Sequence, residues 1–172
     1  MVILSLVVTV IRKGWSPMTV QVLLYPTLVL ILATFLLITV PRKVFRALLP
    51  YGLVLGGLLD YVWNVIFGDL FKIFIYKNNG VFDVSGQIIF APLAWTLIIV
   101  FYLYFWPKEN RQLCYFYVLF WGGLATGFSQ VVYFAGLFEY KPWFYPLPML
   151  IMFLVRFALA AWVAKPWTNF ST

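Results

Sequence analysis

The chain has 172 residues, of which 65% are hydrophobic and only 10% are charged, and its mean hydropathy is +0.98. Because a water-soluble domain is about half apolar and about a quarter charged, this composition excludes a soluble fold and predicts an integral membrane protein. The net charge of +7 resides largely in short loops beside apolar runs, so it indicates contact with anionic lipid headgroups rather than with nucleic acid.

Five apolar runs are long enough to cross a bilayer as helices, which requires about 20 residues each. They are residues 18–40, 47–67, 88–106, 113–137 and 147–164. Ahead of them, residues 1–11 are apolar but too short to cross alone, so we expect a short N-terminal apolar helix at the interface or partly inserted. A sixth, tilted span is the alternative. The predicted fold is therefore all-α, a polytopic membrane helix bundle that forms a single domain over residues 1–172.

The connections between the runs carry much of the charge. PRKVFR (residues 41–46) and PKENRQ (residues 107–112) each begin with proline, which ends a helix, so both are predicted to be tight turns. With Lys165 they hold six basic residues, against five on the opposite side of the predicted bundle. Basic residues are densest in PRKVFR. This density predicts that PRKVFR and the C-terminus lie on the cytoplasmic side of the cell membrane.

Two longer segments are predicted to lie on the opposite, outer side. Residues 68–87 alternate large apolar residues with Asp69, Lys72 and Lys77 in their first half, which is typical of an amphipathic helix lying in the interface. Residues 139–148, EYKPWFYPLP, are predicted to form an aromatic, proline-rich hairpin before the last span. Both segments are therefore expected at the outer membrane surface.

Small and polar residues recur at a spacing of four in the second span. Gly52, Gly56, Asp60 and Asn64 form one stripe on a helix, and the two glycines predict a close approach by a neighbouring helix. Because Asp60 shares the face of this packing stripe, it is expected to point into the bundle rather than toward lipid.

The fourth span repeats this pattern. Gly122, Thr126 and Gln130 are four residues apart, and Gly123 and Gly127 form a second glycine pair beside them. All three glycines are therefore predicted to lie at helix contacts.

The polar residues of four spans are predicted to lie at similar depths in the membrane. At about 1.5 Å per residue, Asp60 and Gln130 lie roughly 10 Å from the outer ends of their spans, Thr96 about 12 Å and Arg156 about 13 Å. A lone Asp or Arg at a helix centre costs roughly 2.5 to 3.5 kcal/mol on insertion, so Asp60 and Arg156 are predicted to pair. Asn64, Gln130 and Thr96 are predicted to be polar neighbours of this pair.

Three interpretations of this polar cluster remain open. The ion pair only fixes the register of the helices, or it borders a water-filled or ligand-binding cavity that opens outward. In the third interpretation no pair forms, and Arg156 extends toward the interface instead.

The sequence offers little catalytic machinery. One cysteine and no histidine exclude an internal disulfide and a Cys/His metal site. No nucleophile elbow, zinc-protease motif or phosphate-binding loop occurs, and Asp60 has no second carboxylate at its depth. We therefore predict no catalytic residue, no cofactor and no metal ion.

Three functions are compatible with these features, and the first is favoured. It is the binding of a small amphiphile or lipid in an outward-facing polar pocket, as a component of a transport or envelope system. The second is a structural or assembly subunit, and the third is a lipid-modifying membrane enzyme. Expected partners are membrane lipids, together with a second copy of the chain or a membrane partner protein.

Two stretches of the chain carry a family resemblance. LLITVPRKVFRALLPYG joins two spans through a proline-led basic turn, and GLFEYKPWFYPLPMLIMFLVRFALA places an aromatic turn before the last span. Together they resemble an uncharacterised family of small multi-span membrane proteins of Gram-positive, often spore-forming bacteria. This resemblance implies a bacterial cytoplasmic membrane, and it carries no activity or catalytic residue with it.

Overall fold

The computed structural model describes residues 17–77, 83–84, 87–108 and 110–165, and this part of the chain is mostly helical. Its five helices are α1 (Pro17–Thr39), α2 (Arg42–Leu70), α3 (Phe90–Tyr104), α4 (Arg111–Phe134) and α5 (Leu147–Val163). The helical content agrees with the predicted all-α class. The N-terminal helix predicted over residues 1–11 lies outside the described residues.

The helices differ in how well they match a membrane span. Within the described residues, α2 is the one helix both long and apolar enough to cross a membrane, while the stretches Leu23–Thr39, Phe90–Tyr104 and Leu147–Val163 are apolar but shorter. The outer surface also carries large apolar side chains, among them Ile38 and Phe134, which are 81% and 77% exposed. Both features are compatible with a membrane environment.

The turn between α1 and α2 is shorter than predicted. Pro41 has an extended backbone, with ψ at 137°, and Arg42 is already the first residue of α2. The interpretation of residues 41–46 as a turn is therefore wrong beyond Pro41. Proline is favoured at the start of a helix because it lacks the amide hydrogen that the first turn leaves unpaired, so Pro41 begins α2 as well as ending α1.

Helix α2 is not uniformly α-helical. Pro50 lies inside it, and π-helical stretches over Gly52–Leu58 and Asn64–Leu70 flank the α-helical stretch Leu59–Trp63 that carries Asp60. Because Pro50 has no amide hydrogen and its ring crowds the preceding turn, the hydrogen-bond ladder shifts beside it. π-Helical turns of this kind often occur at functional sites.

Helix α3 lies at the centre of the bundle, where it packs against α1, α2 and α5, while α4 packs against α5. A Cβ atom on Gly52 would lie 2.7 Å from the backbone oxygen of Thr96, and one on Gly56 would lie closer still to that of Trp95. Gly122 likewise faces a leucine of α5. These three glycines therefore occupy helix contacts, as their spacing predicts.

Gly123 and Gly127 do not follow that prediction. A Cβ atom on either residue would meet nothing within 4 Å, and both residues are exposed. Successive residues on an α-helix are rotated by about 100°, so the side of α4 next to the Gly122 contact already points away from α5. The expectation that Gly123 and Gly127 mediate helix packing is wrong.

Short strands close the end of the bundle at which α2 ends and α3 begins. The strands are β1 (Phe74–Tyr76), β2 (Asp83–Val84), β3 (Gln87–Ile88) and β4 (Phe138–Tyr140). β1 pairs antiparallel with β4, with Ile75 opposite Glu139, and β2 pairs antiparallel with β3. We call this the capped end of the bundle, and the end that carries Pro41 the loop end.

The amphipathic helix predicted within residues 68–87 is therefore wrong. Helix α2 continues to Leu70, the chain turns at Lys72 with a φ of 50°, and the next residues become β1. Aromatic and β-branched residues such as those of Phe74–Tyr76 favour extended backbone when a partner strand is present. Residues of the predicted outer hairpin supply that partner strand, followed by a 3₁₀ turn over Pro142–Phe144.

Candidate functional site: a central cavity beside a buried ion pair

The ion pair expected from the sequence is present between α2 and α5. Arg156 Nη1 lies 3.2 Å from Asp60 Oδ1, and the two residues are 1% and 5% exposed. Asn64 Nδ2 donates to the backbone oxygen of Asp60 at 3.0 Å and approaches the free carboxylate oxygen at 3.4 Å. Two charges buried this deeply are tolerated because they neutralise each other and share hydrogen bonds.

The guanidinium of Arg156 has further contacts. Its Nη2 donates to the backbone oxygen of Gly56 at 2.6 Å. Its Cζ lies 3.9 Å from the ring centroid of Trp95 and 5.6 Å from that of Trp63. The missing side chain at Gly56 leaves its carbonyl accessible, so the glycine stripe serves the ion pair as well as helix packing.

One nitrogen of the Arg156 guanidinium has no hydrogen-bond partner among the described residues. Its Nε is buried, and no hydrogen-bond acceptor among the described residues reaches it. A buried N–H without an acceptor costs about 1–3 kcal/mol, so such groups are uncommon in folded proteins. The wall of the site therefore holds a buried donor for which the described residues provide no acceptor.

A cavity of about 690 Å³ lies in the centre of the bundle, and Asp60, Asn64 and Arg156 form part of its wall. All five helices and the strands β1 and β4 contribute to the lining, which is mostly aromatic and aliphatic. The remaining polar groups of the wall include the hydroxyls of Tyr25 and Ser129. The cavity therefore combines a large apolar volume with a small polar area at one wall.

The capped end of the cavity is formed by the β1–β4 sheet. Phe74 of β1 is 6% exposed, and it lines the cavity together with Tyr76 and Phe138. Burial, with Tyr25 and Asp60 nearby, raises the pKa of the Tyr76 hydroxyl well above its ordinary value, so this hydroxyl stays protonated. The sheet thus covers the end of the bundle that the sequence analysis assigns to the outer side, where the pocket is predicted to open.

Two residues expected beside the ion pair have other hydrogen-bond partners. Thr96 Oγ1 donates to Pro92 in its own helix at 2.9 Å, and Gln130 accepts from the hydroxyl of Tyr140. Neither residue is part of the cavity wall. A helical threonine commonly bonds the carbonyl one turn back, so it needs no partner from another helix. The hydrogen bonds that the structure gives Thr96 and Gln130 therefore do not join them to the ion pair, although Thr96 packs against Gly56, whose carbonyl Arg156 bonds.

Several aromatic residues of the site were not predicted. Trp63 and Trp95 contact the guanidinium, and Tyr25 and Tyr76 contribute hydroxyls to the cavity wall. Aromatic residues are also typical of membrane interfaces, so their residue type alone does not indicate that they line a cavity. The one available signal is spacing, because Trp63 lies three residues after Asp60 and therefore on the same helix face.

This arrangement combines an engaged carboxylate with a mostly apolar wall. The carboxylate of Asp60 is engaged by Arg156 and Asn64, and the remaining wall is suited to an aliphatic or aromatic ligand. Pockets that bind small molecules are typically apolar with a few convergent polar groups, as this one is.

No protein-family model, curated protein or solved structure matches this chain.

Proposed function

We propose that this chain is a polytopic integral membrane protein of the cell membrane that binds a small amphiphile or lipid in its central cavity, without catalysing a reaction. The observation that carries the proposal is the position of the cavity. It reaches the buried Asp60–Arg156 pair, so one ligand can place an apolar chain and a polar group in a single site.

The proposed membrane location is supported by the surface of the bundle. Large side chains on the lipid-facing sides of α1 and α4 are exposed, for example Leu30 and Phe116, each at 68%. Large exposed apolar patches are uncommon on water-soluble proteins, and exposed side chains of this kind suit contact with lipid. The ion pair inside the bundle fits the same environment, because intramembrane charges face the bundle interior and pair with one another.

The proposed ligand class follows from the shape and chemistry of the cavity. Its volume of about 690 Å³ falls within the range of roughly 300 to 1,000 Å³ typical of small-molecule sites. Aliphatic and aromatic walls favour an apolar chain, and the unused Nε of Arg156 favours a polar group at one end.

A structural role for the ion pair is the second candidate function. Arg156 contacts Asp60, Gly56 and Trp95, and these contacts join α5 to both α2 and α3. In this case the pair fixes the assembly of the bundle and the cavity has no physiological ligand.

Ligand binding is tested by native mass spectrometry of the protein in mild detergent, with hexadecanol as the added probe. We expect a bound adduct with the wild-type protein and its loss in Met152→Trp, because Met152 lines the cavity and the indole would fill part of it. The matched control is Leu119→Trp, at a residue of α4 that is 53% exposed and outside the cavity wall.

An adduct retained by Met152→Trp, or lost equally from Leu119→Trp, contradicts binding in this cavity. A wild-type protein that takes up no hexadecanol and carries no co-purified lipid favours the structural role.

A further inference from the structure

Helices α1 and α4 both border the cavity. Each packs closely against another helix, but within the described residues they do not pack closely against each other. Leu28 and Leu32 of α1 line it on one side, and Leu124 and Val131 of α4 line it on the other. Leu124 and Val131 are also 51% and 53% exposed. Because residues that line a cavity and are exposed lie at its mouth, the cavity opens sideways between α1 and α4. We call this gap the lateral opening.

Aromatic and apolar contacts limit the lateral opening at both ends. Toward the loop end, Phe35 of α1 contacts Phe101 of α3, which contacts Trp121 of α4, with ring centroids 5.4 and 5.5 Å apart. Toward the capped end, Tyr25 and Val132 are buried in one apolar cluster. The opening is therefore confined to the middle of the helices, at the depth of the hydrocarbon core in the proposed membrane orientation.

Gly123 and Gly127 form the α4 edge of the lateral opening. Both line the cavity, and the position of a Cβ atom on either is free of other atoms within 4 Å. These glycines therefore do not serve helix packing, and their effect is to leave the gap unobstructed. A large side chain at either position would extend into the opening without first displacing a neighbouring residue.

The wall reached through the opening determines the ligand. Arg156 lies in that wall, and its buried Nε has no acceptor among the described residues, so a head that accepts a hydrogen bond would satisfy it. Its charge is already balanced by Asp60, so a charged head would add an unbalanced charge in an apolar cavity. An uncharged head is therefore favoured.

We propose that a single-chain lipid with an uncharged, hydrogen-bond-accepting head enters the cavity from the surrounding bilayer through the lateral opening between α1 and α4. This inference rests on the proposed function and adds the route of entry and the class of head. The occupant is a lipid because the opening faces the hydrocarbon core, where water-soluble ligands are scarce.

Photolabelling in vesicles tests the route. The full-length protein is reconstituted into phosphatidylcholine vesicles that contain a small fraction of hexadecanol with a diazirine on its chain, and labelled residues are mapped by peptide mass spectrometry. We expect labels on Met149 and Phe153, which line the cavity and are buried, and on Phe116, which is 68% exposed and serves as the internal control.

Variants of α4 separate the lateral route from other routes. In Gly127→Phe we expect labelling of the buried wall to fall several-fold while labelling of Phe116 stays unchanged. Leu119→Phe is the matched control, because it adds the same ring to an exposed part of α4 outside the cavity wall, and we expect both labels to persist. Native mass spectrometry of Gly127→Phe in detergent shows whether the folded protein still holds ligand.

The outcomes distinguish this inference from the proposed function. Equal labelling of the buried wall in wild type and Gly127→Phe overturns lateral entry and leaves ligand binding intact. A buried wall that is never labelled, combined with the absence of a hexadecanol adduct, overturns the proposed function itself.

Two further arms test the occupant. Equal labelling of the buried wall by a diazirine-bearing hexadecyltrimethylammonium ion overturns the preference for an uncharged head. Benzoylphenylalanine placed at Leu124 should cross-link to lipid. A cross-link to residues 1–16 of the same chain, or to a second copy, overturns the proposal because protein then occupies the opening.

Discussion

Arg156 donates a hydrogen bond of 2.6 Å to the backbone oxygen of Gly56, one helical turn before the carboxylate with which the same guanidinium pairs. The contact connects Arg156 to both parts of the stripe that the sequence predicts, the glycines and the buried acid. Arg156 of α5 thus holds α2 at two points, Gly56 in its first π-helical stretch and Asp60 in the α-helical stretch that follows. The ion pair is therefore part of a defined helix contact rather than an isolated pair of charges.

The first prediction concerns the coupling between Asp60 and Arg156. Arg156→Met alone leaves the carboxylate of Asp60 buried without a counter-charge, and breaking a buried pair in this way costs about 3–5 kcal/mol. The double variant Asp60→Leu/Arg156→Met removes both charges, so it should lose clearly less free energy of unfolding than the sum of the single variants. Unfolding by denaturing detergent, followed in a double-mutant cycle, measures the difference; additive losses would show that the pair is not coupled.

The glycines of α2 and α4 provide the second prediction. Gly56→Ala should destabilise the bundle by about 1–3 kcal/mol, because the new methyl group would collide with the backbone of Trp95. Gly127→Ala should be neutral or stabilising by up to about 1 kcal/mol, because its Cβ position is free and alanine favours a helix. The same unfolding assay compares the two, and equal destabilisation would contradict the assigned roles.

The ion pair was predictable from the sequence because two opposite charges at similar depth in apolar helices have few alternatives to pairing. Depth alone could not place Thr96 or Gln130, since residues at one height can point in any direction around their helices. Gln130 bonds Tyr140 of β4, a strand that the apolar pattern does not reveal. The helix bounds followed well from hydropathy, whereas the strands depend on pairing between distant segments.

The cavity could not be predicted from any single element. It is a property of how five helices leave space between them, and its wall combines residues from α2 with residues from α5. Gly123 and Gly127 illustrate the difficulty, because the same small-residue spacing serves helix contact at Gly52 and Gly56 and open space on α4. The family resemblance and the number of membrane crossings stay predictions.

The third prediction concerns the strand that covers the cavity. Phe74 is 6% exposed in β1, so Phe74→Ala should cost about 3–5 kcal/mol and enlarge the capped end of the cavity. Its neighbour Ile75 points to the other face of the strand and is 47% exposed, so Ile75→Ala is the matched control and should cost little. Thermal unfolding in detergent measures both changes, and similar losses would contradict the role of Phe74 as a covering residue.

The last prediction concerns the contact between the guanidinium of Arg156 and the ring of Trp95. The guanidinium lies 3.9 Å from the ring centroid of Trp95, and a desolvated contact of this kind contributes about 2 kcal/mol. Trp95→Leu should therefore destabilise the protein, whereas Trp143→Leu, at a residue that is 59% exposed, should have little effect.

Loss of packing alone would also destabilise Trp95→Leu, because the indole stacks on Phe153 with centroids 5.4 Å apart. The two contributions separate when the substitution is repeated in the Asp60→Leu/Arg156→Met background, where no cation is present. A smaller loss there assigns the difference to the contact with Arg156, since packing against Phe153 is common to both backgrounds. An equal loss in both backgrounds would show that Trp95 acts through packing alone.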